Sequence, residues 1–261
     1  FYKEIERNNT SKKKLLDYLR EWEMRIIRDS RVITFPSLSA RNMMLDEYGS
    51  LFDNKDIRII YNGVDTRLLK GVKNNRNFSG SAIKIVNVAQ HVSEKRFEFL
   101  LEIIHKAKKY VDVIVHNIGS GPLTTKYISI IKELELEKNI VFHGNLNHTE
   151  VLKIMQHSDL YLLPSVNVVF DLATLEALGS GIPVIVSDDG GNKECIENNI
   201  TGVLLQPSDL NSWVDLLRDF KNNSSYYYEL SDRAIEKCDS EFSFSSMLNG
   251  YKKLYQELGS E

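Results

Sequence analysis

Residues 164–187 read PSVNVVFDLATLEALGSGIPVIVS and contain, in order, a strand end, a loop, a helix and a second strand. The apolar run at 159–163 stops at Pro164, which cannot donate to a ladder of backbone hydrogen bonds. A helical pattern follows near 171–179, and the apolar run at 182–186 predicts the next strand. Because strands joined through a helix usually pair in parallel, this stretch predicts a parallel sheet.

The same alternation extends to both sides of this stretch. Strand-like runs lie at 83–88, 111–118, 139–143 and 202–205, and helical patterns lie near 96–109, 124–136 and 148–157. From about Leu210 onwards the pattern is helical. Alternating strands and helices predict an α/β fold with a doubly wound parallel sheet. Because such a sheet binds ligands at the carboxyl ends of its strands, the loops after these strands are the candidate sites.

The front of the chain predicts further strands and helices. The pattern indicates an amphipathic helix at 12–29, a strand at 32–35, a helix near 38–48 with Ser37 as its N-cap, and a strand at 57–61. A polar stretch rich in asparagine and glycine then predicts a linker at 71–82.

Composition restricts the class of protein. A formal net charge of -3 gives no electrostatic case for nucleic acid as a partner. Two cysteines, Cys195 and Cys238, are too few for a disulfide framework and favour a reducing compartment. No apolar run approaches the ~18 residues of a membrane span, and the first residues lack the shape of a signal peptide. Because the sequence starts with Phe1, we expect a fragment or a processed chain.

Two loops could hold an anion. The loop after the run at 83–88 contains Gln90, Lys95 and Arg96 just before a helix, where free backbone N–H groups and positive charge together attract anions. Solvated basic side chains in front of a helix are the plainer alternative. Gly119 and Gly121 follow the run at 111–118 and allow either a close approach to a ligand or an ordinary turn.

The loop before the helix near 171–179 offers two carboxylates. Asp171 is placed to cap that helix, whose free N–H groups would then point into a cleft. Glu176 follows about one and a half turns later, where its carboxylate could accept hydrogen bonds from a vicinal diol such as a ribose. The alternative is that Asp171 is only a cap and Glu176 only a surface residue.

These residues resemble the family-four retaining glycosyltransferases of the GT-B fold. The similarity covers nearly the whole chain and is strongest from residue 83 to about 220. It is carried by landmarks in the family's order, at 59–65 (IIYNGVD), 118–122 (IGSGP), 141–144 (VFHG), 158–165 (SDLYLLPS), 175–185 (LEALGSGIPVI), 190–194 (GGNKE) and 199–202 (NITG). One such landmark is weak evidence, but the ordered series is strong.

The resemblance implies a role for each matching residue. Lys95 matches the lysine that holds the donor diphosphate, and Glu176 matches the glutamate that grips the ribose. Residues 170–172 match a turn whose amides meet the sugar and phosphate. We therefore expect Lys95 and Asp171 to be catalytic. The expected donor-binding residues are Gln90, Lys95, Arg96, Gly119, Phe142, Phe170, Asp171, Leu172 and Glu176.

Two positions depart from the family. Its first glutamate falls on Val168, which cannot hydrogen-bond a sugar, and its diphosphate-binding arginine falls on Gln90, which lacks charge. We expect Asp171 and Arg96 to compensate. Because the chain also contains no Asp-any-Asp pair, we expect no metal and no cofactor.

The resemblance implies a retaining hexosyltransferase that moves a sugar from a nucleotide sugar, a UDP-sugar by expectation, to a glycan or lipid-linked acceptor of the cell envelope. A catalytically silent GT-B module that serves a partner enzyme is the alternative, and a sugar-nucleotide epimerase or a phosphorylase is a third possibility.

We expect a cytoplasmic protein, at the inner face of the membrane, that associates with it peripherally through a missing N-terminal part. The expected divisions are an incomplete acceptor-side domain at 1–70, the linker at 71–82, a donor-binding domain at 83–240 and a returning helix at 241–261. The isolated chain should bind donor but transfer slowly or not at all.

Overall fold

The computed structural model describes residues 13–69 and 81–259. The chain divides by its contacts into two compact units, with the division between Ile60 and Tyr61. This division lies earlier than the boundary at residue 70 that we expect from the sequence. Most of the predicted linker at 71–82 lies outside the described residues, and its last residue already begins a strand. The assignment of these units to acceptor and donor domains stays a prediction.

The first unit contains two parallel strands and flanking helices. Strands β1 (Val32–Phe35) and β2 (Asp56–Ile59) pair in register from Val32 opposite Asp56 to Phe35 opposite Ile59. Ser37 Oγ accepts the Ala40 amide at 2.9 Å, which confirms the predicted cap. The elements are α1 (Lys13–Asp29), β1 (Val32–Phe35), α2 (Leu38–Tyr48), a 3-10 helix (Gly49–Phe52) and β2 (Asp56–Ile59).

The second unit follows the predicted alternation of strands and helices. Its strands are β3 (Ala82–Val88), β4 (Asp112–Ile118), β5 (Ile140–Gly144), β6 (Leu160–Leu163), β7 (Val184–Ser187) and β8 (Val203–Leu205). Its helices are α3 (Thr66–Leu69), α4 (Phe97–Ala107), α5 (Thr124–Glu133), α6 (His148–Gln156), α7 (Leu172–Ser180), α8 (Asn192–Cys195), α9 (Leu210–Asn222), α10 (Ser224–Glu241) and α11 (Phe244–Gly259).

The six strands of this unit form one sheet in the order β5-β4-β3-β6-β7-β8, and every pair is parallel. Counted from β3 as the first strand, this is the 3-2-1-4-5-6 order of a doubly wound sheet. Buried residues form one apolar cluster on each face, as expected for a parallel sheet covered on both sides. The predicted α/β fold class is confirmed.

The strand order fixes where a ligand would meet the sheet. The order reverses between β3 and β6, so the loops after these two strands diverge to opposite faces and leave a crevice between them. Those are the loops at 89–96 and 164–171 that the sequence singles out. Among the described residues, no helix is long and apolar enough to cross a bilayer.

Two segments at the margin of this unit run side by side. Val64 forms a parallel bridge with Ser243, and its amide donates to Phe242 O at 2.9 Å. Gly63 lies so close to this partner segment that an added Cβ would be 2.5 Å from Ser243 O.

Candidate functional site

A cleft of about 720 Å³ opens at the carboxyl ends of β3 and β6. It is lined by residues from four strand-end loops and the first turns of α6 and α7. One side is apolar, and the other carries the charged pair described below. The lining residues are Val88, Ala89, Gln90, Lys95, Ile118, Gly119, Asn145, Leu146, Val151, Phe170, Asp171, Leu172 and Ala173.

Lys95 and Asp171 form an ion pair in this cleft. Lys95 ends a short 3-10 turn after β3, and this turn is tied to the loop after β6 because the Val166 amide donates to Glu94 O at 2.8 Å. The Oδ1 of Asp171 accepts the Thr174 amide at 3.2 Å, so Asp171 is the N-cap of α7. The cleft therefore joins a cationic side chain to the positive end of a helix.

The amides at the start of α7 complete this anion-binding geometry. The first N–H groups of a helix have no acceptor within it. Asp171 satisfies the amide of Thr174, and both Leu172 and Ala173 line the cleft with the first turn. The predicted turn at residues 170–172 is thus brought beside Lys95, where its N–H groups and the lysine can act on one anionic ligand.

The glycine loop after β4 serves contact between loops. Gly119 has φ +132, and an added Cβ would be 2.0 Å from Ala89 O. A Cβ on Gly121 would be 2.8 Å from His91 O. The two glycines let this loop lie directly against the loop after β3. The sequence leaves open a close approach to a ligand or an ordinary turn. The structure shows a close approach, and it is made to the backbone of a neighbouring loop.

His91 anchors the loop after β3 through hydrogen bonds of its buried ring. The ring is 1% exposed, with Nε2 2.8 Å from Asn117 Oδ1 and Nδ1 2.7 Å from Thr124 Oγ1. Burial lowers the pKa of His91 and favours the neutral ring, which donates from Nε2–H to Asn117 Oδ1. The Thr124 hydroxyl beside Nδ1 donates to Gly121 O at 2.8 Å. Asn117 donates in turn to Asn87 Oδ1 at 2.9 Å.

Sequence reasoning does not single out His91, because a lone histidine in a loop carries no pattern. The one available signal is its position directly after Gln90, in the loop where an anion site is expected. The network of buried polar side chains fixes the backbone that carries Gln90 and Lys95 into the cleft.

The expectation for Arg96 is corrected. Its guanidinium lies over the Phe99 ring, 4.3 Å from the centroid, and donates to Pro207 O instead of lining the cleft. The cause is local, since Arg96 has φ 48 and ψ 42, a left-handed conformation that turns the side chain towards α4 and α9. In this structure the Arg96 guanidinium lies outside the cleft lining, so it is not placed to supply the charge that Gln90 lacks.

Phe142 is also placed differently from our expectation. Its ring packs on His91 at 5.6 Å and on Phe97 at 5.9 Å, on the face of the sheet that α4 and α5 cover. Side chains alternate along a strand, and Phe142 faces inwards. Residues just beyond the strand line the cleft instead, among them Asn145 and Leu146.

The segment between β5 and α6 is a fixed wall of the cleft. Gly144 adopts φ +66, and Asn147 caps α6 in a reciprocal capping box with Glu150. Asn145 Oδ1 accepts from the Ser120 hydroxyl at 3.0 Å, which joins this wall to the glycine loop.

Comparison with known proteins assigns the family. Residues 72–237 match the family model described as glycosyl transferases group 1, and residues 4–68 match that of glycosyltransferase family 4. The first match alone covers more than half of the chain. The chain belongs to the glycosyl transferases group 1 family.

One curated bacterial relative of this group 1 chain is considerably longer than the chain itself. It is 26% identical over 237 residues to the N-acetyl-alpha-D-glucosaminyl L-malate synthase of Bacillus anthracis, a match that covers 89% of this chain and 61% of the relative. The chain thus spans less than two thirds of that enzyme's length.

Solved structures share the fold of this group 1 chain. TarM of S. aureus, solved with fondaparinux, alpha-GlcNAc-glycerol and UDP, superposes with a TM-score of 0.76 at 22% identity, covering 90% of this chain and 46% of TarM. HepE of Anabaena, solved with UDP and glucose, superposes with a TM-score of 0.78 at 17% identity, covering 94% and 67%. These likenesses confirm the GT-B fold.

Glu176 lies one turn beyond the lining residues of α7 in the group 1 chain. It follows Leu172 by four residues and Ala173 by three, so all three lie on the same side of the helix. Its Oε1 is 2.8 Å from Nε2 of His148, and its side chain is 19% exposed. Burial raises the pKa of Glu176, and the hydrogen bond from His148 opposes that rise.

The two departures from the family pattern have different surroundings. Gln90 is exposed and is one of the residues that line the cleft. Val168 is 6% exposed, and its backbone is held by Asp189 Oδ1 at 3.0 Å and the Gly191 amide at 2.8 Å. Position 168 is thus a buried, apolar position in this group 1 chain.

Phe170 connects the cleft to an aromatic cluster behind it. Its ring stacks on Tyr61 at 5.5 Å, and both rings contact Phe242. Burial, together with Glu194, raises the pKa of Tyr61 to about 12. Tyr61 therefore keeps its proton and supports Phe170 as a neutral ring.

Proposed function

We propose that this chain carries the donor site of a glycosyltransferase that uses a UDP-sugar. The observation that carries the proposal is the placement of Lys95 beside the N-terminus of α7, in a cleft at the reversal of the strand order. A nucleoside diphosphate has the charge that this site attracts. The UDP found with TarM and with HepE supports uridine as the nucleoside.

We infer a position for each part of the donor from the residues that line the cleft. The diphosphate meets Lys95 and the first amides of α7, and the ribose extends along α7 towards Glu176. The apolar side of the cleft, formed by Ile118, Leu146 and Val151, takes the base. Phe170 and Asp171 then face the sugar.

The chemistry that these groups support is heterolysis of the bond between the sugar and the diphosphate. Negative charge grows on the leaving diphosphate as that bond breaks. Lys95 and the fixed N–H dipoles of α7 stabilise this charge without reorganising, which is how preorganised sites accelerate such steps. We infer transfer with retention, to a glycan or lipid-linked acceptor bound by the whole protein, and without a metal because Lys95 and α7 supply the positive charge.

Direct binding measurements test the donor site. Calorimetric titration with UDP, GDP and UDP-sugars should show binding of UDP and UDP-sugars, and a ligand at 100 times its Kd should stabilise the protein by about 2.7 kcal/mol. Titration with ADP serves as a base control. If no nucleotide binds, the proposal is wrong.

A silent binding module is a second candidate, favoured by the apolar, buried Val168. Release of UDP from UDP-sugars by the full-length protein, with and without a chelator of divalent metals, separates the two. Turnover that survives chelation supports the enzyme, whereas binding without turnover supports the module.

A further inference from the structure

Glu176 is the carboxylate that the proposed function assigns to the ribose, and it does not stand alone. Among the described residues its hydrogen-bond partner is His148, the first residue of α6, through Nε2 and Oε1 at 2.8 Å. The second oxygen, Oε2, takes no hydrogen bond from the described part of the chain. One oxygen is thus held, and the other is available to a ligand.

Both residues of this pair lie on cleft-facing sides of their helices. Glu176 lies one turn after Leu172 and Ala173 on α7, and His148 lies one turn before Val151 on α6. Leu172, Ala173 and Val151 all line the cleft. Residues three or four apart share a helix face, so the pair sits at one end of the cleft, beyond its lining.

Without His148 the carboxylate would be free to turn. Glutamate has three side-chain torsions, and a partly buried carboxylate with one fixed hydrogen bond loses most of that freedom before a ligand binds. Holding Oε1 leaves Oε2 at a set position, which is what recognition of two neighbouring hydroxyls needs. The His148 ring is half-exposed and contributes little to the core.

We propose that His148 is a positioning residue for the ribose subsite: by donating from Nε2 to Oε1, it orients Glu176 so that Oε2 meets the ribose hydroxyls. The inference rests on the proposed function. It concerns a side chain outside the landmarks that carry the family resemblance.

The test compares UDP with 2′,3′-dideoxy-UDP, which lacks both hydroxyls. Calorimetric Kd values are measured for the wild type, His148→Leu, His148→Gln and Glu176→Gln. His148→Leu removes the hydrogen bond that orients Glu176 and disturbs the contact between Glu176 and the ribose only indirectly. It should therefore raise the Kd for UDP by about fivefold. His148→Leu should leave the Kd for the dideoxy analogue unchanged. His148→Gln keeps an N–H donor and should recover most of the affinity for UDP.

A double mutant separates positioning from a direct contact. If His148 acts through Glu176, His148→Leu combined with Glu176→Gln should bind UDP no more weakly than Glu176→Gln alone. His157→Leu is the matched control, because His157 is the C-cap of the same helix and its ring Nδ1 lies 2.7 Å from Lys153 O, a contact that does not involve Glu176. It should change neither Kd.

The outcomes separate the two proposals. If the wild type fails to bind UDP, the proposed function is overturned and the inference with it. If the wild type binds UDP but His148→Leu binds it equally well, the inference alone is overturned. The inference is also overturned if His148→Leu weakens the binding of UDP and of the dideoxy analogue equally, because the loss of affinity is then unrelated to the ribose hydroxyls.

Discussion

Lys95 and Asp171 are paired across the cleft, although 76 positions separate them in the sequence. Their side chains are 27% and 7% exposed, so water screens the pair only in part. They meet because β3 and β6 are neighbours in the sheet, so the loops that follow these two strands lie side by side. The two opposite charges therefore balance each other within the cleft, and under the proposed function a diphosphate would compete with Asp171 for the lysine.

Replacing Lys95 should remove most of the affinity for a diphosphate. Lys95→Met keeps much of the aliphatic stem and loses the charge. Charge-assisted hydrogen bonds contribute about 1.5–3 kcal/mol, so the Kd for UDP should rise by roughly 10- to 100-fold. Calorimetric titration measures it, and uridine, which carries no phosphate, is the control ligand. An equal loss for uridine would point to damage of the whole cleft.

Replacing Asp171 should have the opposite effect on UDP. Asp171→Asn keeps an oxygen that can cap α7 but removes the charge that competes for Lys95, so UDP should bind about 3- to 10-fold more tightly. A UDP-sugar should gain less in affinity, since the proposed donor position also places Asp171 beside the sugar. Titration with both ligands gives the ratio. Weaker UDP binding with an unchanged melting temperature would contradict the competition.

Gly119→Ala should disrupt the cleft severely. The added Cβ would be 2.0 Å from Ala89 O in a conformation with φ +132, so one loop must move or the protein must lose about 3 kcal/mol or more. Gly144→Ala is the matched control, because its Cβ would enter open space and only the left-handed φ costs about 1–2 kcal/mol. Urea denaturation measures both. Similar losses would argue against the close approach of the two loops.

His91 should make stability depend on pH. Burial lowers its pKa below 6.5, so in acid the unfolded chain binds a proton that the folded protein does not. The free energy of unfolding contributed by this group is therefore lost as the pH falls through 6.5 towards the lowered value. His91→Gln should be less stable than the wild type at pH 8 by about 1–3 kcal/mol. Its free energy of unfolding should fall less than that of the wild type when the pH is lowered.

Denaturation in urea at several pH values tests this expectation. The difference between His91→Gln and the wild type should shrink from pH 8 to pH 5, and this comparison cancels the other groups that titrate. Parallel curves for the two proteins would show that His91 is not the group responsible.

Restoring the family's glutamate should not restore the family's contact. The Val168 side chain is 6% exposed, so Val168→Glu would place a carboxylate in an apolar position at a cost of about 2–4 kcal/mol. Val168→Leu controls for the change in volume. A stable Val168→Glu protein with tighter binding of UDP-sugars would instead show that position 168 reaches the sugar.

Much of the fold could be predicted because strands and helices are encoded locally. The apolar runs at 159–163 and 182–186 became β6 and β7 with ends shifted by one or two residues. The cap by Asp171 was predicted from residue type and position, and is confirmed. The loops that meet in the cleft follow from the strand order, which an alternating pattern favours.

The orientation of single side chains could not be predicted. Arg96 turns away because a non-glycine residue adopts a left-handed backbone, and nothing in the local sequence requires it. Phe142 packs on His91 and Phe97 because its place in the alternation of β5 puts its side chain on that face of the sheet. His91 and His148 act through partners 26 to 33 and 28 positions away, distances at which a single sequence gives no pattern.

The wall from Gly144 to Asn147 has a thermodynamic consequence for anything that binds beside it. Fixing a backbone residue costs about 1–2 kcal/mol of conformational entropy, and the left-handed glycine and the capping box impose that loss when the chain folds. A ligand arriving there meets a surface that is already ordered, so little of its interaction energy is diverted into arranging the protein. Lengthening this loop would return the disorder and shift its cost from folding to association.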